Sequence, residues 1–192
     1  SHFEDNKPTV KQMQMYYSRI LFYAFLSPQN EKNLSDIISH IDENRRLARH
    51  LELKKPILEA IKSHINPFIL ATLDNKIENI RDLRDERNED GENTLKAIAK
   101  FGRISASEVF TPIRVAKMMV DNLIDDEFIK DYKENPKNII DLSTKSGVYL
   151  IMVYHKLVNA GISVELVKDN LYAVATSHVG YEFTRAVYED FG

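Results

Sequence analysis

The sequence predicts an α/β protein: a helical module over residues 1–104, then over 105–192 the opening part of a parallel sheet wound with helices. Three observations predict it. Apolar residues recur at steps of three and four through the first hundred positions. Two short apolar segments, 138–142 and 171–176, stand in the second half. Each runs into a turn or polar residues and then into a helix-periodic stretch, and strand–turn–helix–strand–helix is the order of a doubly wound sheet.

In the helical module, Val10, Met13, Tyr17, Ile20, Leu21 and Ala24 form one stripe, and Ser27-Pro28-Gln29-Asn30 stops it. Leu34, Ile37, Ile38 and Ile41 open a second stripe that Leu47, Ala48 and Leu51 continue. A third runs from Pro56, suited to a first turn, through Ile57, Leu58, Ile61 and Ile65. Pro67 is expected to kink or end it, and a fourth helix is expected over 68–83. Tyr16, Tyr17, Phe22, Tyr23 and Phe25 crowd the first helix. Core packing is expected of them, with a partner-domain interface as the alternative. Residues 84–93 are polar and read as a solvated helix end and loop. A short helix is expected over 93–100, with Gly102 as its stop.

In the second half, Pro112 opens a periodic stretch carrying Val115, Met118, Met119 and Leu123. Asp125, Asp126 and Glu127 suit a helix N-terminus, and Asn135-Pro136 breaks the chain. A strand is expected over 138–142, a small-residue turn over 143–147 and a helix over 148–159. A second strand over 171–176 and a helix over 179–188 follow. Two strands cannot bury both faces of such a sheet, so the chain is expected to stop partway through that domain. The start, Ser1-His2-Phe3, has no Met and no signal-peptide pattern and reads as a cut end.

Composition narrows the chemistry. Of 192 residues, 43% are hydrophobic and 29% charged, a balance that disfavours wholesale disorder. The absence of cysteine excludes disulfides, a thiol nucleophile and cysteine-ligated metals, and suits the cytoplasm. The net charge is −3, and neither half is basic, so tight DNA binding by the chain alone is not expected. No apolar run reaches the ~20 residues of a membrane helix, and no membrane partner is expected. The histidines, His2, His40, His50, His64, His155 and His178, form no recognised metal cluster, and no metal is expected.

The chemistry concentrates in Asp141-Leu142-Ser143-Thr144-Lys145-Ser146-Gly147-Val148-Tyr149-Leu150, where a strand gives way to a helix. Open α/β sheets bind ligands beyond the carboxyl ends of their strands, and small residues with free helix-start N–H groups let a ligand approach. A plain tight turn is the alternative. Upstream stands Ser107-Glu108-Val109-Phe110-Thr111-Pro112, and downstream Leu171-Tyr172-Ala173-Val174-Ala175-Thr176-Ser177.

In this order and spacing the three segments resemble the start of a DNA adenine-N6 methyltransferase domain of multidomain restriction–modification proteins, over about residues 103–192. Lys100-Phe101-Gly102-Arg103-Ile104, leading into the upstream segment, is similar to the same divergent region. The resemblance implies a Rossmann-like sheet and S-adenosyl-L-methionine as cofactor. It implies that Phe110, Thr111 and Pro112 pack around the methionine end of the cofactor. Asp141 would meet the methionine amino group, as a carboxylate partners an ammonium. Ser143, Ser146 and Gly147 would form the loop under the cofactor, and Tyr149 stands where the family has Phe.

The departures are as specific. Leu142 replaces Pro, Thr144 replaces Cys and Lys145 replaces a loop Gly. Lys145 is expected either to strain a positive-φ position or to reach the methionine carboxylate as a counter-charge. Ala175 replaces the acid that takes the ribose hydroxyls, a contact worth about 1.5–3 kcal/mol. Thr176, Ser177 or Glu182 is the expected substitute, with His178 as a residue that could touch the adenine. The family's Asn/Asp-Pro-Pro-Tyr/Phe loop, which receives a flipped base, has no match here; Asn66-Pro67-Phe68 reads as a helix kink. No catalytic residue is therefore expected in this chain. The implied function is the cofactor-binding portion of a DNA adenine-N6 methyltransferase, inactive as this piece. DNA and other restriction–modification domains would be met by parts of the protein outside it. The alternative is a degenerate methylase-like scaffold or DNA-positioning module that has lost the cofactor. An unrelated nucleotide-binding α/β enzyme ranks third, because the loop lacks the Gly-x-x-x-x-Gly-Lys-Ser/Thr phosphate pattern.

Overall fold

In the computed structural model, which describes residues 7–86, 91–101 and 111–191, the first helix begins at a reciprocal capping pair. Thr9 Oγ1 accepts from the Gln12 N–H at 3.1 Å, and Gln12 Oε1 accepts from the Thr9 N–H at 3.0 Å. α1 (Val10–Leu26) starts exposed and ends buried. Leu21, Phe22, Tyr23, Ala24 and Phe25 are all buried, so its second half is wrapped on every side. The crowded aromatics are core residues, as expected; Tyr17, half-buried, lies under the Lys76 ammonium, 5.3 Å from its ring centre. The first compact unit, Ser1–Arg87, also holds α2 (Leu34–His40), a 3-10 turn (Ile41–Asn44), α3 (Arg45–His50), α4 (Lys55–His64) and α5 (Pro67–Asp85).

The expected second stripe is three pieces rather than one helix. Asn44 leaves helical geometry at φ −116°, ψ 46°, and sends its amide to Tyr23 Oη at 2.9 Å. Of the two outcomes expected at Pro67, the helix ends rather than kinks: α4 stops at His64, and Asn66 caps a new helix by accepting from the Phe68 N–H at 2.8 Å. Gly102 lies outside the described residues.

A buried helix end needs partners for its last carbonyls. Arg81 of α5 supplies them, donating from one guanidinium nitrogen to Ser27 O at 2.6 Å and Ala24 O at 3.3 Å. Its other nitrogens hold Asp85 at 2.7 and 2.9 Å. Beside it lies Glu31, fully buried, whose Oε1 accepts from Ser27 Oγ at 3.1 Å and Tyr23 Oη at 3.4 Å. Glu31 Oε2 is buried with no hydrogen-bond partner. Burial pushes the Glu31 carboxyl up from 4.5 to about 7, against the pull of the Ser27 hydrogen bond and the nearby His40 and Arg81 charges. The Tyr23 phenol is also raised, by burial first and by Glu31 second.

The second compact unit is Asn88–Gly192. It contains α6 (Glu92–Phe101), α7 (Ile113–Leu123), α8 (Asp126–Glu134), β1 (Ile139–Thr144), α9 (Val148–Asn159), α10 (Val164–Asn170), β2 (Leu171–Ala175) and α11 (His178–Asp190). α6, which the sequence reading set before the boundary at 104, packs within this unit: Thr94 Oγ1 donates to Asp190 Oδ2 at 2.6 Å. Asp125 caps α8 by accepting from the Phe128 N–H at 2.8 Å. α10 was not expected from the sequence.

β1 and β2 pair in parallel, Ile139 opposite Leu171, Asp141 opposite Ala173 and Thr144 opposite Ala175. The register slips between Asp141 and Thr144, so β1 carries one residue more than β2 over that interval. One face, carrying Leu171 with the partly buried Ile139 and Ala173, packs into a core of α9 and α11 residues that includes Leu150, Ile151 and Val187. Tyr154 and Phe191 stack there with ring centres 4.1 Å apart. The opposite face bears Ile140, Leu142, Tyr172 and Val174, of which Leu142 is 73% exposed and Val174 51%. The structure is thus α/β and mostly helical, with one face of its two-stranded sheet open among the described residues. No described helix is long and apolar enough to cross a membrane.

Glu31 yields a pH prediction. Its folded-state value lies above the unfolded one, so the native state holds an extra proton between about 4.5 and 7. Stability should be fullest below that window and fall as pH rises through it, by at most about 3 kcal/mol. Urea melts at acid and alkaline pH should show this loss in the wild type, and Glu31→Gln should remove most of it.

Candidate functional site

The site is the region beyond the carboxyl ends of β1 and β2. Because Thr144 lies opposite Ala175, the turn after β1 and the polar residues after β2 emerge side by side. Parallel pairing thereby gathers Asp141, Ser143, Lys145, Ser146, Gly147, Thr176 and Ser177 at one end of the sheet. Thr111 and Pro112 stand at the opening of α7, which packs along α9; Phe110 lies outside the described residues.

The turn is held by two glycines. Gly147 precedes α9 at φ +80°, a conformation that side chains resist, and a Cβ there would lie 2.6 Å from Val187 Cγ2. Gly180, in the first turn of α11, lies against the end of β1: a Cβ there would come 2.9 Å from Thr144 O and 3.3 Å from Lys145 O. The sequence reading missed Gly180; a glycine in a helix's first turn, where propensity disfavours it, was the available signal. Thr184 Oγ1 donates to Gly180 O at 2.7 Å and lies 3.4 Å from the buried Thr144 Oγ1. Thr144, expected as a loop position, is instead the last residue of β1 and part of this buried strut.

Two polar atoms, one on β1 and one in the turn after it, are left over. Asp141 Oδ1 accepts from the Ser143 N–H at 3.1 Å, while Asp141 Oδ2 is buried without a hydrogen-bond partner. Ser146 Oγ is buried and likewise without one. Buried polar atoms are nearly always satisfied, so two orphans five residues apart, one on β1 and one in the turn that follows it, mark a place where a ligand or water would be welcome. Lys145 is exposed and has no carboxylate partner among the described residues. It does not adopt positive φ; that burden falls on Gly147, so the expected strain at Lys145 is absent.

After β2 the picture is thinner. Ala175 is half-buried, and its methyl cannot accept a hydroxyl. Ser177 caps α11, its Oγ accepting from the Gly180 N–H at 3.0 Å, and Thr176 and His178 are exposed. Glu182, a candidate replacement for the missing acid, is excluded from that role: it is fully buried and pairs with Arg185 Nε at 3.3 Å. Tyr149 donates to Met119 Sδ at 3.3 Å, tying α9 to α7. Tyr188 donates to Leu171 O at 2.6 Å, and burial, with smaller contributions from Tyr172 and Asp141, pushes its phenol up to about 12. Among the described residues no group of three or more histidines, aspartates or glutamates could hold a metal ion.

No protein-family model, no curated protein and no solved structure matches the chain. The functional reading therefore rests on the residues themselves.

The glycines supply the test of the turn. Gly161, at φ +92°, has nothing within 4 Å of an added Cβ. Gly161→Ala should lose about 1 kcal/mol from backbone strain alone, whereas Gly147→Ala should lose roughly 2 kcal/mol or more because Val187 must also move. Paired denaturant melts of the two variants separate strain from collision.

Proposed function

We propose that this chain is the S-adenosyl-L-methionine-binding portion of a DNA adenine-N6 methyltransferase from a restriction–modification protein, built on the opening strands of a Rossmann-like sheet. The observation that carries the reading is the pair of orphaned buried atoms, Asp141 Oδ2 on β1 and Ser146 Oγ in the turn between β1 and α9. The donor set suits the methionine end of that cofactor. Asp141 would hold its ammonium, Lys145 its carboxylate, and Ser146 with the N–H groups opening α9 would complete the cradle. Thr176 is the exposed hydroxyl nearest in sequence to Ala175 and would take the ribose, aided by Ser177. Thr111 and Pro112 would border the methionine side. When bound, the cofactor supplies an electrophilic methyl group; the chain's own part is to bind and orient it.

The open sheet face of Ile140, Leu142, Tyr172 and Val174 supports the idea that further strands or helices complete this domain. The base-receiving loop and the DNA-reading surface would belong to them, so the 192-residue chain should transfer no methyl group to DNA. A cytoplasmic setting accords with the absence of cysteine.

A second reading is favoured by Ala175 and by the burial of Glu182. With no acid at the ribose position, the fold would serve as a scaffold or DNA-positioning module without cofactor.

Calorimetric titration with S-adenosyl-L-methionine decides between them. Binding should be weakened about tenfold or more by Lys145→Ala at an unchanged melting temperature, and by Asp141→Ala in a chain that remains folded. A folded wild-type chain that releases no binding heat would overturn the cofactor reading in favour of the scaffold. Methyl transfer to DNA by the isolated chain would overturn the assignment of catalysis to residues outside it.

A further inference from the structure

The first unit contains a cavity of about 760 Å³, within the roughly 300–1,000 Å³ of small-molecule sites. Five cationic side chains line it: Arg19 from α1, Arg45 and Arg49 from α3, Lys54, and Lys55 from α4. Only two carboxylates, Asp42 and Glu52, share the lining. Each already has a partner, Lys55 Nζ at 3.1 Å from Asp42 and Arg19 at 3.0 Å from Glu52. Arg45, Arg49 and Lys54 are exposed and have no carboxylate partner among the described residues; Arg45 Nε donates only to the Asp42 carbonyl, at 3.2 Å. Three uncompensated cations thus face one concavity in a chain whose net charge is −3.

The wall between them is apolar, formed by Met15, Ile41, Leu53 and Ile57 with the Tyr16 ring. The Lys54 N–H donates to Tyr16 Oη at 3.3 Å, which fixes the ring beside the cations.

An independent observation lies on the same rim. α3 closes with a two-bond C-cap, the Leu53 N–H to Ala48 O at 2.8 Å and the Glu52 N–H to Arg49 O at 3.0 Å. The left-handed position of this cap is normally glycine, yet it is Glu52, at φ +54°, the one non-glycine with positive φ among the described residues. Strained non-glycine residues cluster at ligand clamps, and this one holds its carboxylate on Arg19 at the cavity.

We infer that this cavity is a binding site for a nucleoside polyphosphate. Arg45, Arg49 and Lys54 would hold the phosphates, and the Tyr16–Met15 wall would hold the flat base. Glu52 acts as a resident counter-anion: it neutralises Arg19 in the empty site and competes with the incoming phosphates. A concave, small-molecule-sized site with local positive charge suits a compact polyanion better than the long basic stripe a nucleic-acid backbone requires. The inference is independent of the cofactor reading, which concerns the β1 and β2 ends.

The test is titration of the 192-residue chain at low salt with adenosine triphosphate, inorganic triphosphate, adenosine and a short single-stranded oligonucleotide. Adenosine triphosphate should bind with a Kd below about 1 mM and more tightly than inorganic triphosphate, and adenosine should not bind measurably. The double variant Arg49→Ala/Lys54→Ala should weaken it at least about tenfold, with the melting temperature unchanged because both side chains are exposed. Glu52→Gln should tighten it with the backbone strain still in place, and Glu52→Gly should tighten it with a melting temperature no lower than wild type. No saturation by adenosine triphosphate overturns the proposal. Equal affinity for inorganic triphosphate overturns the base wall and leaves a bare anion site. An oligonucleotide that binds far more tightly through the same cations overturns it in favour of a nucleic-acid surface.

Discussion

Two parallel strands cannot be joined by a hairpin; the chain must leave the sheet, cross one face and return. Here the crossing is made by α9 and α10, and α11 follows the return. That constraint arranges most of the second unit. It puts the crossing helix on the face carrying Ile139, Leu171 and Ala173, where Leu150, Ile151 and Val187 close the core. It also brings both strand ends, each opening into a helix N-terminus, to one edge. The same geometry leaves Ile140, Leu142, Tyr172 and Val174 without a covering layer among the described residues.

The first unit depends on a different device. Its central helix is buried at its C-terminal end, where carbonyl oxygens would otherwise face a dry interior. Arg81 satisfies two of those carbonyls and is itself anchored by Asp85. Glu31, Tyr23, Ser27 and Asn44 complete a polar cluster inside an apolar shell. Arginine suits this position because its guanidinium offers several donors in a fixed plane, so it can meet two carbonyls and a carboxylate together.

What the sequence revealed follows from the range of the forces involved. Helices with long apolar stripes and the two strands were legible, because burial imposes periodicity on neighbouring residues. The 148–159 helix and the start of β2 at Leu171 emerged where the pattern placed them. α10 was not legible: seven residues cap on Ser163 and bury chiefly Val167, too few for a period to show. The break at Asn44 was hidden because its cause, Tyr23, is 21 residues away. Of the candidate site, Asp141, Ser146 and Gly147 were legible as a strand–turn–helix pattern. The roles of Gly180 and Thr144 were not, since both arise from α11 lying on the end of β1. Glu182 misled because a charged side chain about one turn into α11 looks exposed until its helix is oriented. The cationic cavity was invisible for a related reason, its lining being scattered from Gln12 to Ile57.

The slipped register in β1 has a consequence for how this turn can vary. Side chains along a strand alternate, so Asp141 faces the helices, Leu142 faces away, and uninterrupted alternation over this three-step interval would turn Thr144 away too. The added residue turns Thr144 inward, opposite Ala175, into contact with Thr184. Turn length is consequently locked to helix seating. Deleting one residue between Asp141 and Thr144 would restore plain alternation and keep the strut inward opposite Ala175, whereas inserting one more would turn it outward and withdraw the carbonyl against which Gly180 rests. Natural variants of this turn should therefore tolerate loss of the extra residue better than gain of a second.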